Sequence, residues 1–112
     1  MILVQWSCDV PDEELESFIR FCRDELKPFY ESHGCKRFEL FILIEVRKRY
    51  FSYQTTQKGN RYTEQLIFNA IEEFENLLEV VESDSHAKEI IESYGKKFHV
   101  SSCNFTILTQ KI

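Results

Sequence analysis

Glycine and proline are scarce in this chain, with 3 and 2 in 112 residues, and methionine and tryptophan occur once each. So little glycine and proline excludes a collagen-like or loop-dominated chain, and with 43% apolar residues it excludes disorder as well. Long hydrophobic runs are also missing. The longest unbroken one is Leu40 to Ile44, far below the roughly 18 to 20 residues of a membrane-spanning helix. The first basic residue is Arg20, so the start lacks the charged segment of a secretory signal, and a cytoplasmic setting is expected. The four cysteines, Cys8, Cys22, Cys35 and Cys103, form no C-x-x-C pair and no dense framework, which predicts reduced, mostly packed thiols. A surplus of positive charge is absent too. The formal net charge of −5 argues against a chain that works by neutralising phosphates or anionic lipid, so neither nucleic acid nor membrane is expected as a partner.

What the chain does have is aromatic weight, 10 Phe, 5 Tyr and 1 Trp, enough for a single core spanning residues 1–112 as one domain. Ile2, Val4, Trp6 and Cys8 alternate along a first strand. Asp9 or Asp12 can cap the following helix, whose apolar stripe runs Leu15, Phe18, Ile19, Cys22, Leu26, Phe29, Tyr30. Pro28 is expected to kink it near Leu26 and Gly34 to end it. From Cys35 the period becomes two: Phe38, Leu40, Ile42, Ile44 and Val46 share one face, with Phe41 and Leu43 on the other. Tyr50 to Thr56 continues as β to a turn at Lys58-Gly59-Asn60, and Tyr62 to Phe68 returns as a third strand.

Asn69 with Glu72 resembles a capping box, opening a helix through Ile71, Phe74, Leu77, Leu78 and Val81. Ser83-Asp84-Ser85 recaps the chain, a further helix carries Ala87, Ile90, Ile91 and Tyr94 to a stop at Gly95, and a last strand covers roughly Phe98 to Gln110. The order β-α-β-β-α-α-β predicts an α+β plait, an antiparallel sheet with helices on one face. On these periodic faces Phe18, Phe29, Phe38, Phe68, Phe74 and Phe105 are expected inside the subunit. Phe41 and Leu43 then lie on the uncovered face, where a second copy of the chain is the expected cover.

The run Pro11-Asp-Glu-Glu-Leu-Glu-Ser-Phe and the longer one Glu25-Leu-Lys-Pro-Phe-Tyr-Glu-Ser-His-Gly-Cys-Lys-Arg-Phe-Glu-Leu resemble the first helix and second strand of the dimeric α+β barrel proteins. These are ferredoxin-like domains that include the antibiotic biosynthesis monooxygenases. Tyr62-Thr-Glu-Gln-Leu-Ile-Phe-Asn-Ala-Ile-Glu-Glu-Phe-Glu resembles the family's third strand and second helix, and Ser85-His-Ala-Lys-Glu-Ile-Ile continues the likeness. The resemblance implies a homodimer with sheets facing each other and a pocket between sheet and helices. It implies no single reaction, because the superfamily spans cofactor-free oxygenases, haem-degrading enzymes, isomerases and members without known activity.

Within that frame the pocket is expected to receive a small apolar or aromatic, polyketide-like molecule, and any catalysis to be oxidation by O2 with no bound cofactor. Trp6 and Tyr53 are the expected substrate-binding walls, Asn69 the orienting amide and His86 the proton-transfer group. Each has a plainer reading: Trp6 as core, His86 as a surface residue at a helix start. Haem-degrading relatives place their Trp and Asn the other way round, which argues against haem. No pair of His or Cys has ligand spacing, so no metal is expected. Arg47-Lys-Arg-Tyr-Phe-Ser-Tyr-Gln is the one basic and aromatic patch, read as a solvated hairpin edge rather than a base-stacking surface. The alternative to an enzyme is a non-catalytic homodimer, a ligand-binding or stress-associated interaction module whose interior is filled by its own Phe side chains.

Overall fold

The computed structural model describes residues 1–44 and 61–112. The expected Tyr50 to Thr56 strand, its turn, the basic segment Arg47 to Arg49 and the candidate wall Tyr53 fall outside the described residues.

Strand β1 (Ile2–Asp9) leads through a 3-10 turn (Asp12–Glu14) into one long helical run made of α1 (Leu15–Phe21), a π-helical segment (Cys22–Leu26) and α2 (Lys27–Ser32). Strands β2 (Arg37–Ile42) and β3 (Arg61–Phe68) follow, then α3 (Ile71–Ser83), α4 (Ser85–Lys97) and β4 (Ser101–Thr109). The four strands form one sheet in the order β2-β3-β1-β4, every neighbouring pair antiparallel. This is the expected ferredoxin-like α+β arrangement with helices on one face.

The period of two is best kept in β3, where Tyr62, Glu64, Leu66 and Phe68 are buried and the intervening residues are half-buried. Val4 and Cys8 of β1 join them, and Phe18, Cys22, Leu26, Tyr30, Phe74, Leu77 and Phe98 close over them from the helices as one core. Burying such side chains contributes roughly 1.5 to 3 kcal/mol each. The opposite face is polar in its middle: Gln5 Nε2 donates to Gln65 Oε1 at 2.7 Å, and the Ser7 and Thr63 hydroxyls meet at 2.8 Å.

Several local expectations are corrected. Asp9 does not cap the first helix, because it stays in β1 and accepts from Arg61 Nη1 at 3.0 Å; Pro11 stands at the cap of the 3-10 turn, with no side-chain bond there. The disturbance expected from Pro28 near Leu26 takes the form of a π-helical turn over Cys22–Leu26. Proline lacks the N–H of a helical turn and its ring crowds the carbonyl four residues back, and here the turn before it widens, Lys27 N–H reaching back five residues to the Cys22 carbonyl. Ala70, not Asn69, is the cap of α3 and makes no side-chain bond. Gly95 does not end α4, which runs on to Lys97; the left-handed exit is taken by His99 at φ 54°. Phe105 is 48% exposed, because β4 is the edge strand and the helices do not reach fully across it. Gly34 does stand in the left-handed region at φ 99°, after the end of α2, and Asp84 caps α4 by accepting from His86 N–H at 3.0 Å.

Candidate functional site

On the helix-covered face one row of the sheet reads Phe105, Trp6, Glu64, Leu40 across β4, β1, β3 and β2. A glutamate in an otherwise apolar row is the outlier. Glu64 is 1% exposed; its Oε2 accepts from the Tyr94 hydroxyl at 3.0 Å, while Oε1 has no partner. Burial raises its carboxyl to about 7, and the Tyr94 hydrogen bond pulls in the opposite direction without offsetting it. The same burial, then the nearby carboxylate, hold the Tyr94 and Tyr30 hydroxyls and the Cys22 thiol well above their ordinary values. The result is a carboxyl near neutrality in an apolar setting, the kind of tuning found where a group takes or gives a proton.

Beside it lies a groove of about 370 Å3 between the first helical run and β2, with Ile19, Cys22, Leu40, Ile42 and Tyr62 among its lining residues. Arg23 and Lys27 line it as well, paired respectively with Asp24 at 2.8 Å and Glu31 at 2.7 Å. Lys27 also donates to the Phe38 carbonyl at 3.1 Å and Glu31 accepts from Phe38 N–H at 2.9 Å, so α2 is fixed against the strand that forms the groove's other wall. The π segment contributes Cys22 and Arg23 to the lining. Two lining residues bracket the buried carboxyl: Leu40 is its cross-strand partner, and Tyr62 precedes it by two residues on the same face of β3. The Tyr62 hydroxyl is buried without a partner as well.

Of the residues singled out from the sequence, Trp6 is the one that stands beside Glu64, as its partner in the β1–β3 register. It packs on Phe105 at 4.8 Å between ring centroids and on Tyr30 and Phe74 at 6.4 Å each. Asn69 and His86 are exposed, on separate elements, and neither lines the groove. Asn69 lies just beyond the far end of β3 from Tyr62, roughly 23 Å away along an extended strand. The sequence signal for Glu64 is its phase: it alternates with Tyr62, Leu66 and Phe68 on a face that is otherwise apolar, while Tyr94 reads there as one more apolar position of its helix. Among the described residues no three His, Cys, Asp or Glu side chains converge on a common point that could hold a metal, and no helix is long and apolar enough to cross a membrane.

No family model matches the chain, and no curated protein matches its sequence. Solved structures do match its fold. A dimeric ferredoxin-like protein from an uncultured marine organism superposes with a TM-score of 0.64 at 16% identity, covering 100% of this chain and 99% of the other. An antibiotic biosynthesis monooxygenase matches with a TM-score of 0.66 at 8% identity over 100% of both chains. An uncharacterized NIPSNAP domain protein from Burkholderia xenovorans gives 0.64 at 9% identity, with 99% and 95% covered. At such identities the likeness establishes the ferredoxin-like fold and leaves the chemistry to the residues.

Proposed function

We propose that this chain is a homodimer through its open sheet face, in which each subunit binds a small apolar or aromatic molecule in the groove beside Glu64. The observation that carries the reading is the buried carboxyl near neutrality, half satisfied, bracketed by Leu40 and Tyr62 of the groove lining. A ligand bearing a weakly acidic O–H or C–H would lie against Leu40 and Tyr62, the two lining residues that flank this carboxyl, and a shift of either side chain would bring it to a proton acceptor shielded from water. The reaction class we favour is oxidation of an electron-rich aromatic or polyketide-like ligand by O2 without a bound cofactor. Deprotonation gives the anion such chemistry starts from, and the shared fold with an antibiotic biosynthesis monooxygenase supports it.

Support for the dimer comes from Leu3, Ile67, Phe41 and Leu108 around the polar centre of the open face, and from a structural neighbour that is dimeric. Three buried free thiols, Cys8, Cys22 and Cys35, fit a cytoplasmic setting.

Light scattering is expected to give the mass of two chains at micromolar concentration, and native mass spectrometry of freshly purified protein a small apolar molecule released on denaturation. Leu40→Arg should lose that molecule and Glu64→Gln should keep it but stop its turnover, whereas Asn69→Ala and His86→Ala should change neither. A monomer, or a groove that neither retains nor binds any member of a panel of phenols and aromatic acids, would overturn the reading. A second reading, a non-catalytic interaction module, is favoured by the Trp6, Tyr30, Phe74 and Phe105 cluster filling the interior; it predicts turnover by neither wild type nor variant.

A further inference from the structure

Strands β1 and β4 pair in regular register from Ile2 opposite Thr109 to Ser7 opposite Asn104, after which the register shifts and Asp9 pairs with Ser101. Two residues of β4, Ser102 and Cys103, are thereby set against Cys8 alone, which is a β-bulge. Ser102 holds the bulge in a left-handed conformation, φ 52°. Arg61 pins it from β3, across β1, with Nη1 donating to the Ser102 carbonyl at 2.9 Å and to Asp9 Oδ1 at 3.0 Å. Counting by twos from Phe105, which packs on Trp6, Cys103 falls on the same face as Trp6 and Cys8. One thiol of this cross-strand couple is buried, 2% exposed, and the other is exposed.

Opposed residues of an antiparallel pair hold their Cβ atoms about 4.5 to 5.5 Å apart, against about 3.5 to 4.5 Å in a disulfide. The added twist of a bulge can close a gap of that size, and a bond closed under strain is readily reduced again. We propose that Cys8 and Cys103 are a thiol oxidation site, joined reversibly as a disulfide when the protein meets a peroxide.

Exposure sets the order of events. The Cys103 sulfur attacks hydrogen peroxide, forming an S–O bond and releasing water, which leaves a sulfenic acid. The Cys8 sulfur then attacks Cys103 sulfur; the S–S bond forms, the S–O bond breaks, and hydroxide departs as water with the Cys8 proton. Two thiols lose two electrons to one peroxide and two waters result. Cys8 is the second partner because desolvation, then the Glu64 carboxylate and Cys103, push its thiol up to about 12. The bond would tie the edge strand to β1 and remove a thiol adjacent to the buried carboxyl.

The test is hydrogen peroxide in small molar excess on the reduced full chain under native conditions, followed by denaturation, alkylation and peptide mapping, with circular dichroism to follow the fold. Alkylatable thiols should fall from the four of the sequence to two, with Cys8 and Cys103 in one linked peptide, native ellipticity retained, and all four recovered by a dithiol reductant. Cys103→Ser, at an exposed position, should keep its remaining three thiols alkylatable. Survival of all four thiols overturns the proposal. So does a Cys103 that ends as sulfinic acid or bridged to a second chain, a Cys8–Cys22 link, or a link that forms only once the native signal is lost.

Discussion

Adjacent rows of the same sheet treat polar side chains in opposite ways. On the open face, Gln5 and Gln65 answer each other at 2.7 Å and Ser7 and Thr63 at 2.8 Å, each group half-buried and partnered. One residue along and on the other face, Glu64 is buried among Trp6, Leu40 and Tyr62 with one oxygen bonded and one left over. The open-face pairs cost little, because each donor has an acceptor and water is near. The buried carboxyl carries an unmatched desolvation cost. A group kept at such a cost is the better candidate for chemistry, and a matched pair for specifying how strands and subunits meet.

The contrast can be broken from either face. The largest effect should come from the covered side: Phe18→Ala, at a fully buried position, is expected to lose about 3 to 5 kcal/mol in urea unfolding, and a loss below 1 kcal/mol would mean the core there is loose. Next comes pH. With Glu64 at about 7 in the folded state against an ordinary 4.5, the folded chain binds more protons between those values. Stability is therefore full below about 4.5 and falls as pH rises to about 7, by roughly 3 kcal/mol. Denaturation at pH 5 and pH 8 should show the drop in wild type and not in Glu64→Gln; equal slopes in both would remove Glu64 from its special place.

A third test sharpens the open face. Leu3→Glu should raise the dimer dissociation constant at least tenfold, about 1.4 kcal/mol, while leaving the monomer cooperatively folded, as read by light scattering and circular dichroism together. Smallest of all, a double-mutant cycle on Gln5→Ala and Gln65→Ala should return a coupling of about 1 kcal/mol; zero coupling would make that contact incidental.

The architecture was readable because alternation is nearly uninterrupted where strands are half covered. Ile2, Val4, Trp6 and Cys8, and then Tyr62, Leu66 and Phe68, leave no other register that buries them. Local endings were harder to read. A capping box at Asn69 is sound chemistry, but β3 runs to Phe68 and leaves only Ala70 at the point where the helix begins. Gly95 has open space around its Cα, and its poor helix propensity is overridden by a turn that continues through Lys97. The site was the least legible part. Asn69 and His86 were attractive for their chemistry, yet nothing in a linear spacing says that both face solvent. Glu64 could be recognised as unusual only by taking its phase in the strand more seriously than its charge.

The π-helical turn has a consequence of another kind, for chain length rather than composition. With one extra residue taken up in the widened turn between Cys22 and Leu26, the helical run keeps a single apolar stripe through it, Leu15, Phe18 and Cys22 before and Leu26 and Tyr30 after. Deleting a single residue there would let the turn tighten to an ordinary α-helix and leave the flanking turns in phase, with Lys27 still on the Phe38 carbonyl and Tyr30 still in the core. The same deletion within α1 or α2 would turn everything beyond it by about 100°. This turn should therefore accept the loss of a residue that the regular turns on either side do not.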